Sequence, residues 1–519
     1  MPALLATPPR PLDELTLPPT KLFPEDHAAL AAIVGADSVR CSPYERAFHA
    51  LGRSYHDLLR LRAGALESLP DAVVYPRSTD EVLALLAYCK AHRIGVIPFG
   101  GGTSVVGGVS AEYGNFDTII TIDLSSMDRL LDVDSISRTA TAEAGIYGPA
   151  LERGLNAKGF TLGHLPQSFE FSTLGGWICH RGAGQMSLRY GRAEDWLVGL
   201  KLATTEGLAA ASDAPASAAG PQLKDIVAGS EGSFGIVTEA TVRLMPLPEA
   251  SLYRSYMFRD FGAGSATIRA AMQDDVAASM IRLSDVEETR FLRTYASIGH
   301  AGSVQRFGDL YLKVRGISRE PCLMIAAFEG RRMRARSALH HFSRIAAQYG
   351  AVSLGPRIAE RWRQTRFQAP YLRDAMMDRG VGVDTIETAA SWMRLETVYA
   401  NTRAALENAI RETAPREGAR GVVMCHISHS YSDGASLYFT YVFPRALEGD
   451  IAQWKTIKKA ATQAIVDNGG TVSHHHGVGE DHLPWMMQEK GPLGIAALRA
   501  IKKAFDPDGI LNPGKLIPP

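Results

Sequence analysis

The sequence predicts an α+β protein of two or three domains. Three observations lead there. The chain has 519 residues, more than one compact core organises. A strand–helix–strand pattern opens at Ala72 and gives way to a run of further strands. From Glu249 onward strands and long helices alternate in a different rhythm, after Pro246 and Pro248 punctuate a boundary.

The first 25 residues are Pro-rich and predicted irregular, and residues 25–66 read as helical. AVVYP at 72–76 is a short apolar strand. Ser78 followed by Glu81 fits a capping box, and Val82, Leu85, Leu86 and Cys89 then recur at helical spacing. Residues 94–98, 118–124 and 138–144 read as strands. A helix over 149–158 ends at Gly159, a residue free to take the left-handed backbone that closes helices. Residues 211–222 form an exposed loop, and 237–247 a strand. Helices are predicted over 454–468 and 492–505, and no internal repeat is visible.

Lys+Arg and Asp+Glu balance at 55 each, which argues against broad attraction to nucleic acid or an anionic membrane. Five scattered cysteines, with no C-x-x-C, disfavour a disulfide framework, structural zinc and an iron–sulfur cluster. A reducing, cytoplasmic setting fits them. The longest clean apolar run, CLMIAAF at 322–328, is far shorter than the ~20 residues that span a bilayer. The N-terminal stretch makes a poor signal peptide, and the chain does not close on a peroxisomal tripeptide.

The chemistry begins with PFGGGTSVVGG at 98–108, directly after a strand. Consecutive glycines let backbone N–H groups converge on one anion, and Thr103 and Ser104 add hydroxyl donors. A pyrophosphate is the natural guest. The spacing is neither G-x-G-x-x-G nor a Walker loop, and a ligand-free turn is the competing reading. Two more stretches rich in small and hydroxyl residues follow, PQSFEFSTLGGWICHRGAG at 166–184 and GSEGSFGIVTEATVRL at 229–244. Three in order point to one extended ligand held along its length.

Together these stretches resemble the FAD-binding domain of the vanillyl-alcohol-oxidase flavoprotein superfamily. The resemblance implies a two-subdomain FAD-binding domain with an α/β cap domain for the substrate. It implies that Pro98, Phe99, Gly100, Gly101, Gly102, Thr103 and Ser104 line FAD. It extends this to Gln167, Ser168, Phe169, Glu170, Phe171, Ser172 and Thr173, and to His180, Arg181, Gly182 and Ala183. Glu231, Gly232, Ser233, Phe234, Gly235, Ile236 and Val237 complete the set. The first loop lacks the histidine of covalent-flavin members, so FAD is expected to bind non-covalently. The implied organisation is a helical segment (1–66), the FAD-binding domain (67–248), the cap (249–460) and a C-terminal segment (461–519) completing the active site.

Two branches of that superfamily compete for the second half. FAD-dependent 2-hydroxyacid dehydrogenases hold a metal and the substrate carboxylate with His and Glu. Here Tyr438 and His475 stand at those places, which removes ligands a divalent metal wants, and no metal is expected. MIRLSD (280–285), APYLRDAMMDRGVGVDTIETAASW (369–392), HSYSDGASLYF (429–439) and SHHHGVG (473–479) instead resemble the alkyldihydroxyacetonephosphate synthase family.

That likeness implies exchange of the acyl chain of acyl-dihydroxyacetone phosphate for a fatty alcohol, through a flavin N5 adduct with no net redox change. Arg282 and Arg373 match the family's functional arginines, and arginine suits bidentate anion binding. Tyr438 and the run His474, His475 and His476 supply proton donors and acceptors. In an extended segment His474 and His476 face one side and His475 the other.

Plainer readings compete. Arg282 is three residues before Asp285, and Arg373 precedes Asp374, so both fit structural ion pairs. By pattern Tyr438 is a strand tyrosine, and a His run is as often a metal site or a surface loop. His426 and His429 receive no role from the likeness. The expected partners are small-molecule lipid substrates and no nucleic acid, with peripheral membrane contact and a homodimer. The alternatives are a 2-hydroxyacid dehydrogenase or other FAD-linked oxidase, and a flavin-binding interaction protein without chemistry.

Overall fold

Apolar alternation and capping place the elements of this computed structural model, which describes residues 7–297, 312–317 and 320–519. The described chain divides into two compact units. One holds Pro8–Gly184, Gly191–Pro246 and His475–Pro519; the other holds Gln185–Tyr190 and Leu247–His474.

In the first unit the strand Ala72–Val74 leads to the helix Thr79–His92. Ser78 caps the helix by accepting from Glu81 N at 3.2 Å. The reciprocal half of the expected capping box is displaced by one residue, because the Glu81 carboxylate accepts from Arg77 N. Val82, Leu85, Leu86 and Cys89 are all buried, as their spacing predicts. The strand Gly95–Phe99 follows and pairs in parallel with Ile119–Asp123, which pairs with Ala72–Val74. The helical reading of 25–66 is interrupted by a short strand, Val39–Arg40, which closes that sheet antiparallel to Ala72–Val74.

A second sheet is antiparallel, in the order Leu130–Asp134, Thr139–Glu143, Ile236–Arg243, Leu197–Thr204, Gly207–Ala211. The two sheets share one apolar core. The helix predicted over 149–158 runs Gly148–Asn156, with Gly159 at φ 83°. The first glycine loop leaves the carboxyl end of a parallel strand, the place where open α/β sheets form ligand crevices. Near the chain end, Asn512 N donates to Val96 O at 2.8 Å and fixes residues 510–512 beside that strand.

The second unit is built on a seven-stranded antiparallel sheet. Its order is Val352–Gly355, Ala250–Phe258, Cys322–Gly330, Met280–Ser284, Val422–Ser430, Gly434–Pro444, Val381–Ser391. The apolar run CLMIAAF forms the third of these strands and is buried. Helices Phe261–Gln273, Arg332–Gln348 and Trp392–Glu412 pack on the sheet. Helix Asp450–Asp467 packs on Trp392–Glu412. All five cysteines are free thiols, and among the described residues no helix is long and apolar enough to cross a membrane.

Candidate active site

The three glycine stretches meet in the first unit. A Cβ on Gly100 would lie 2.3 Å from Thr173 Oγ1, and one on Gly101 would lie 1.7 Å from Phe171 O. The first stretch therefore rests directly on the backbone of the second, and only glycine fits at 101. Thr173 caps the short helix Leu174–Cys179, and Trp177 Nε1 donates to Ser172 Oγ at 2.7 Å. Gly232 of the third stretch, at φ 72°, packs on Pro98.

Glu231 ties the stretches together. It is buried and sits at φ 50°, a left-handed backbone that a non-glycine residue rarely takes. Its N–H donates to Cys179 O at 2.9 Å. Its carboxylate accepts from Val478 N and, at 2.7 Å, from Gly479 N. Its carbonyl accepts from Asn512 Nδ2 at 2.6 Å. Around this knot His180 Nε2, Ser230 Oγ and Ser233 Oγ are buried without a protein partner among the described residues. Unspent polar atoms beside a cradle too tight for side chains fit an extended polar ligand.

The histidine run is not extended. Residues 474–476 form successive bends, and the His475 and His476 rings meet edge to face at 4.7 Å. The expected alternation of facing directions therefore fails. Beyond the run stands Gly479, at φ 52°, whose Cβ would lie 2.0 Å from Val106 O. That turn folds the chain just beyond the run.

In the second unit the sheet sets four side chains in a row. Glu387 pairs with Tyr438, and Tyr438 with His426, while Ser284 pairs with His426 on the next strand. Directly opposed residues share a face, and Arg282, two residues from Ser284, joins it. The His426 and Tyr438 rings stack at 5.0 Å and 19°. Arg282 Nη1 lies 2.9 Å from His426 Nε2, and Arg282 Nη2 lies 2.8 Å from Glu288 Oε1. Glu288 Oε1 also lies 3.0 Å from His426 Nδ1. A neutral His426 satisfies both contacts if Nδ1–H donates to Glu288 and Nε2 accepts from Arg282.

Burial pushes the Glu288 carboxyl up, but Arg282 and then His426 outweigh it and hold the group well below the usual carboxylate range. Burial, and then the Arg282 charge, lower His426. Burial raises the half-buried Tyr438 hydroxyl; Glu387 adds to this, while Arg373, on the helix Ala369–Met377, opposes it. Glu387 also accepts from Ser473 Oγ at 2.7 Å and His474 N at 2.8 Å, and Tyr431 Oη lies 2.5 Å from His474 Nε2.

The second unit thus brings Arg282, Arg373, Tyr438 and His474 into one polar neighbourhood. The expected Arg282–Asp285 pair does not form, because residues three apart on a strand face opposite ways. Asp285 instead binds Arg403 at 2.8 Å and caps the following helix by accepting from Glu288 N. The sequence assigns no role to Glu288, His426, Tyr431 or Glu387. The D-x-x-E spacing from Asp285 to Glu288 was the one legible hint, since it marks a helix start.

Comparisons with known proteins agree with this geometry. Residues 70–210 match the FAD binding domain family, and residues 247–516 match the FAD linked oxidases, C-terminal domain family. The chain is 33% identical to an alkyldihydroxyacetonephosphate synthase of Trypanosoma brucei brucei, over 94% of this chain and 80% of that one. It is 33% identical to the Dictyostelium discoideum enzyme of that name, over 99% of this chain and 84% of that one. A solved alkyldihydroxyacetonephosphate synthase structure superposes with a TM-score of 0.83 at 30% identity, covering 98% of this chain and 88% of that one. The fold is the FAD-binding fold of the vanillyl-alcohol-oxidase type, and FAD is the cofactor.

Two outcomes follow. Gly101→Ala is expected to purify folded but colourless, read as the ratio of flavin to protein absorbance; wild-type flavin content would contradict the cradle. Glu288→Gln is expected to destabilise the protein by about 3 kcal/mol at pH 7, because it strips a half-buried arginine of its counter-charge. A carboxylate with a depressed folded pKa stabilises above its unfolded value of about 4.3 and loses that contribution as pH falls. The gap in urea midpoints between wild type and variant should therefore shrink below about pH 4.

Proposed function

Because the chain belongs to the alkyldihydroxyacetonephosphate synthase family, we propose that it exchanges the acyl chain of acyl-dihydroxyacetone phosphate for a fatty alcohol. The carbon–oxygen bond to the acyl group breaks, and the fatty acid leaves as its carboxylate. The alcohol oxygen bonds the same carbon and gives up its proton, so the product is an ether and no electrons are gained or lost overall. Bound non-covalently, FAD supplies an electron-accepting ring for the substrate carbon.

The row Arg282–His426–Tyr438–Glu387 carries this reading. Two arginines suit a substrate that carries phosphate and releases carboxylate. In this proposal Arg373 clamps those anions, joined by Arg282 through its Nε, which has no hydrogen-bond partner among the described residues while Glu288 and His426 hold its other nitrogens. Tyr438 relays the proton at the substrate carbon, its hydroxyl passing its own proton to a neighbouring base as it takes the substrate's. His474, with its ring nitrogen against the Tyr431 hydroxyl, joins His475 and His476 in proton transfer. A 2-hydroxyacid dehydrogenase wants a metal-binding histidine where Tyr438 stands, which weighs against that alternative. The acyl and alkyl chains lead us to propose peripheral membrane contact as well, which a liposome flotation assay tests.

Tyr438→Phe is expected to keep its flavin spectrum and lose ether formation by about two orders of magnitude or more. A variant that bound FAD and made ether at the wild-type rate would remove Tyr438 from the chemistry.

A further inference from the structure

The chain's last residues hold polar atoms that the fold does not use. Asn512 is 2% exposed and sits at φ 43°. Its amide nitrogen donates to Gly108 O at 3.0 Å and Glu231 O at 2.6 Å, tying the end of the first glycine loop to the third stretch. Its Oδ1 is buried and has no hydrogen-bond partner among the described residues. Lys515 is 3% exposed, and its Nζ likewise has no hydrogen-bond partner among the described residues. A buried ammonium and a buried amide oxygen left unbonded are each costly, so a ligand is expected to complete them.

The surroundings select the ligand. Glu480, Glu112, Glu231 and Arg60 stand within electrostatic reach of Lys515. Asp57 adds a fourth carboxylate against Arg60 at 2.9 Å. Four carboxylates against two cations leave an excess of negative charge, which repels a pyrophosphate and admits a neutral group. FAD has two neutral edges that set a donor beside an acceptor, on adenine and on the flavin pyrimidine ring. Glu231 holds Val478 and Gly479, just beyond the histidines assigned above to the reaction, and the reacting end of FAD is the flavin.

We propose that Asn512 and Lys515 form a fourth cofactor-binding element that grips the flavin pyrimidine edge. The Asn512 oxygen accepts from flavin N3–H, and the Lys515 ammonium faces N1 and the C2 carbonyl. The Lys515 charge offsets part of that negative excess, so the potential of the bound flavin is higher with Lys515 than without it.

The test uses holoprotein carrying Lys515→Met or Lys515→Arg, with FAD and riboflavin dissociation constants and the flavin midpoint potential as readouts. Lys515→Met should weaken binding of both flavins about tenfold and lower the potential, and Lys515→Arg should recover much of both. Weaker FAD binding with riboflavin binding and potential unchanged would place Lys515 at the adenosine or phosphates and overturn the proposal. No change in any readout would make Lys515 a counter-charge only, and would also overturn it. Should Lys515→Met fail to fold, wild-type apoprotein is titrated with 3-methyl-FAD, which lacks the N3 proton. Binding about tenfold weaker than FAD supports the Asn512 contact, and equal binding refutes it.

Discussion

The Glu231 carboxylate is the constraint on which the FAD-binding unit depends. It accepts from two successive backbone N–H groups, of Val478 and Gly479, while its own N–H and carbonyl reach Cys179 and Asn512. One residue thus joins the second stretch, the third stretch and two parts of the C-terminal segment. These contacts sustain a left-handed backbone that would otherwise cost on the order of 1 kcal/mol. The glycines follow from the same requirement. Where backbone packs on backbone, as Gly101 does on Phe171 and Gly479 on Val106, no Cβ fits.

The other unit solves a different problem, which is keeping charge inside a sheet. Arg282 and Glu288 neutralise each other, and a neutral His426 satisfies both. The cluster is affordable in free energy because each charge keeps a partner, and removing one member would strand the other. Stacking on His426 and the cross-strand place opposite Glu387 fix the Tyr438 ring. Glu387 also accepts from Ser473 and His474, so one buried carboxylate serves both the tyrosine strand and the start of the histidine run.

Much of this was legible where the physics is local. Ser78 caps its helix, the apolar positions after it are buried, and the three glycine stretches converge. What escaped was tertiary. Arg282 pairs with Glu288 rather than the nearer Asp285, because strand geometry turns residue i+3 away. His426 gains its place only through cross-strand register, which the sequence does not state. The histidine run reads as extended, but it is bent, and the Glu231 carboxylate that holds Val478 and Gly479 just beyond it lies far away in sequence. Lys515 carried no pattern at all, and burial alone makes it notable.

This active site is expected to make an ether and not an oxidised product. The direct measurement is mass spectrometry of the purified flavoprotein incubated with palmitoyl-dihydroxyacetone phosphate and hexadecanol. A parallel anaerobic sample holds a panel of D-2-hydroxyacids and is watched for loss of flavin absorbance. The expected products are the alkyl ether and free palmitate, with the flavin still oxidised at the end. Flavin bleaching by a hydroxyacid, with no ether formed, would contradict this expectation and return the site to the dehydrogenases.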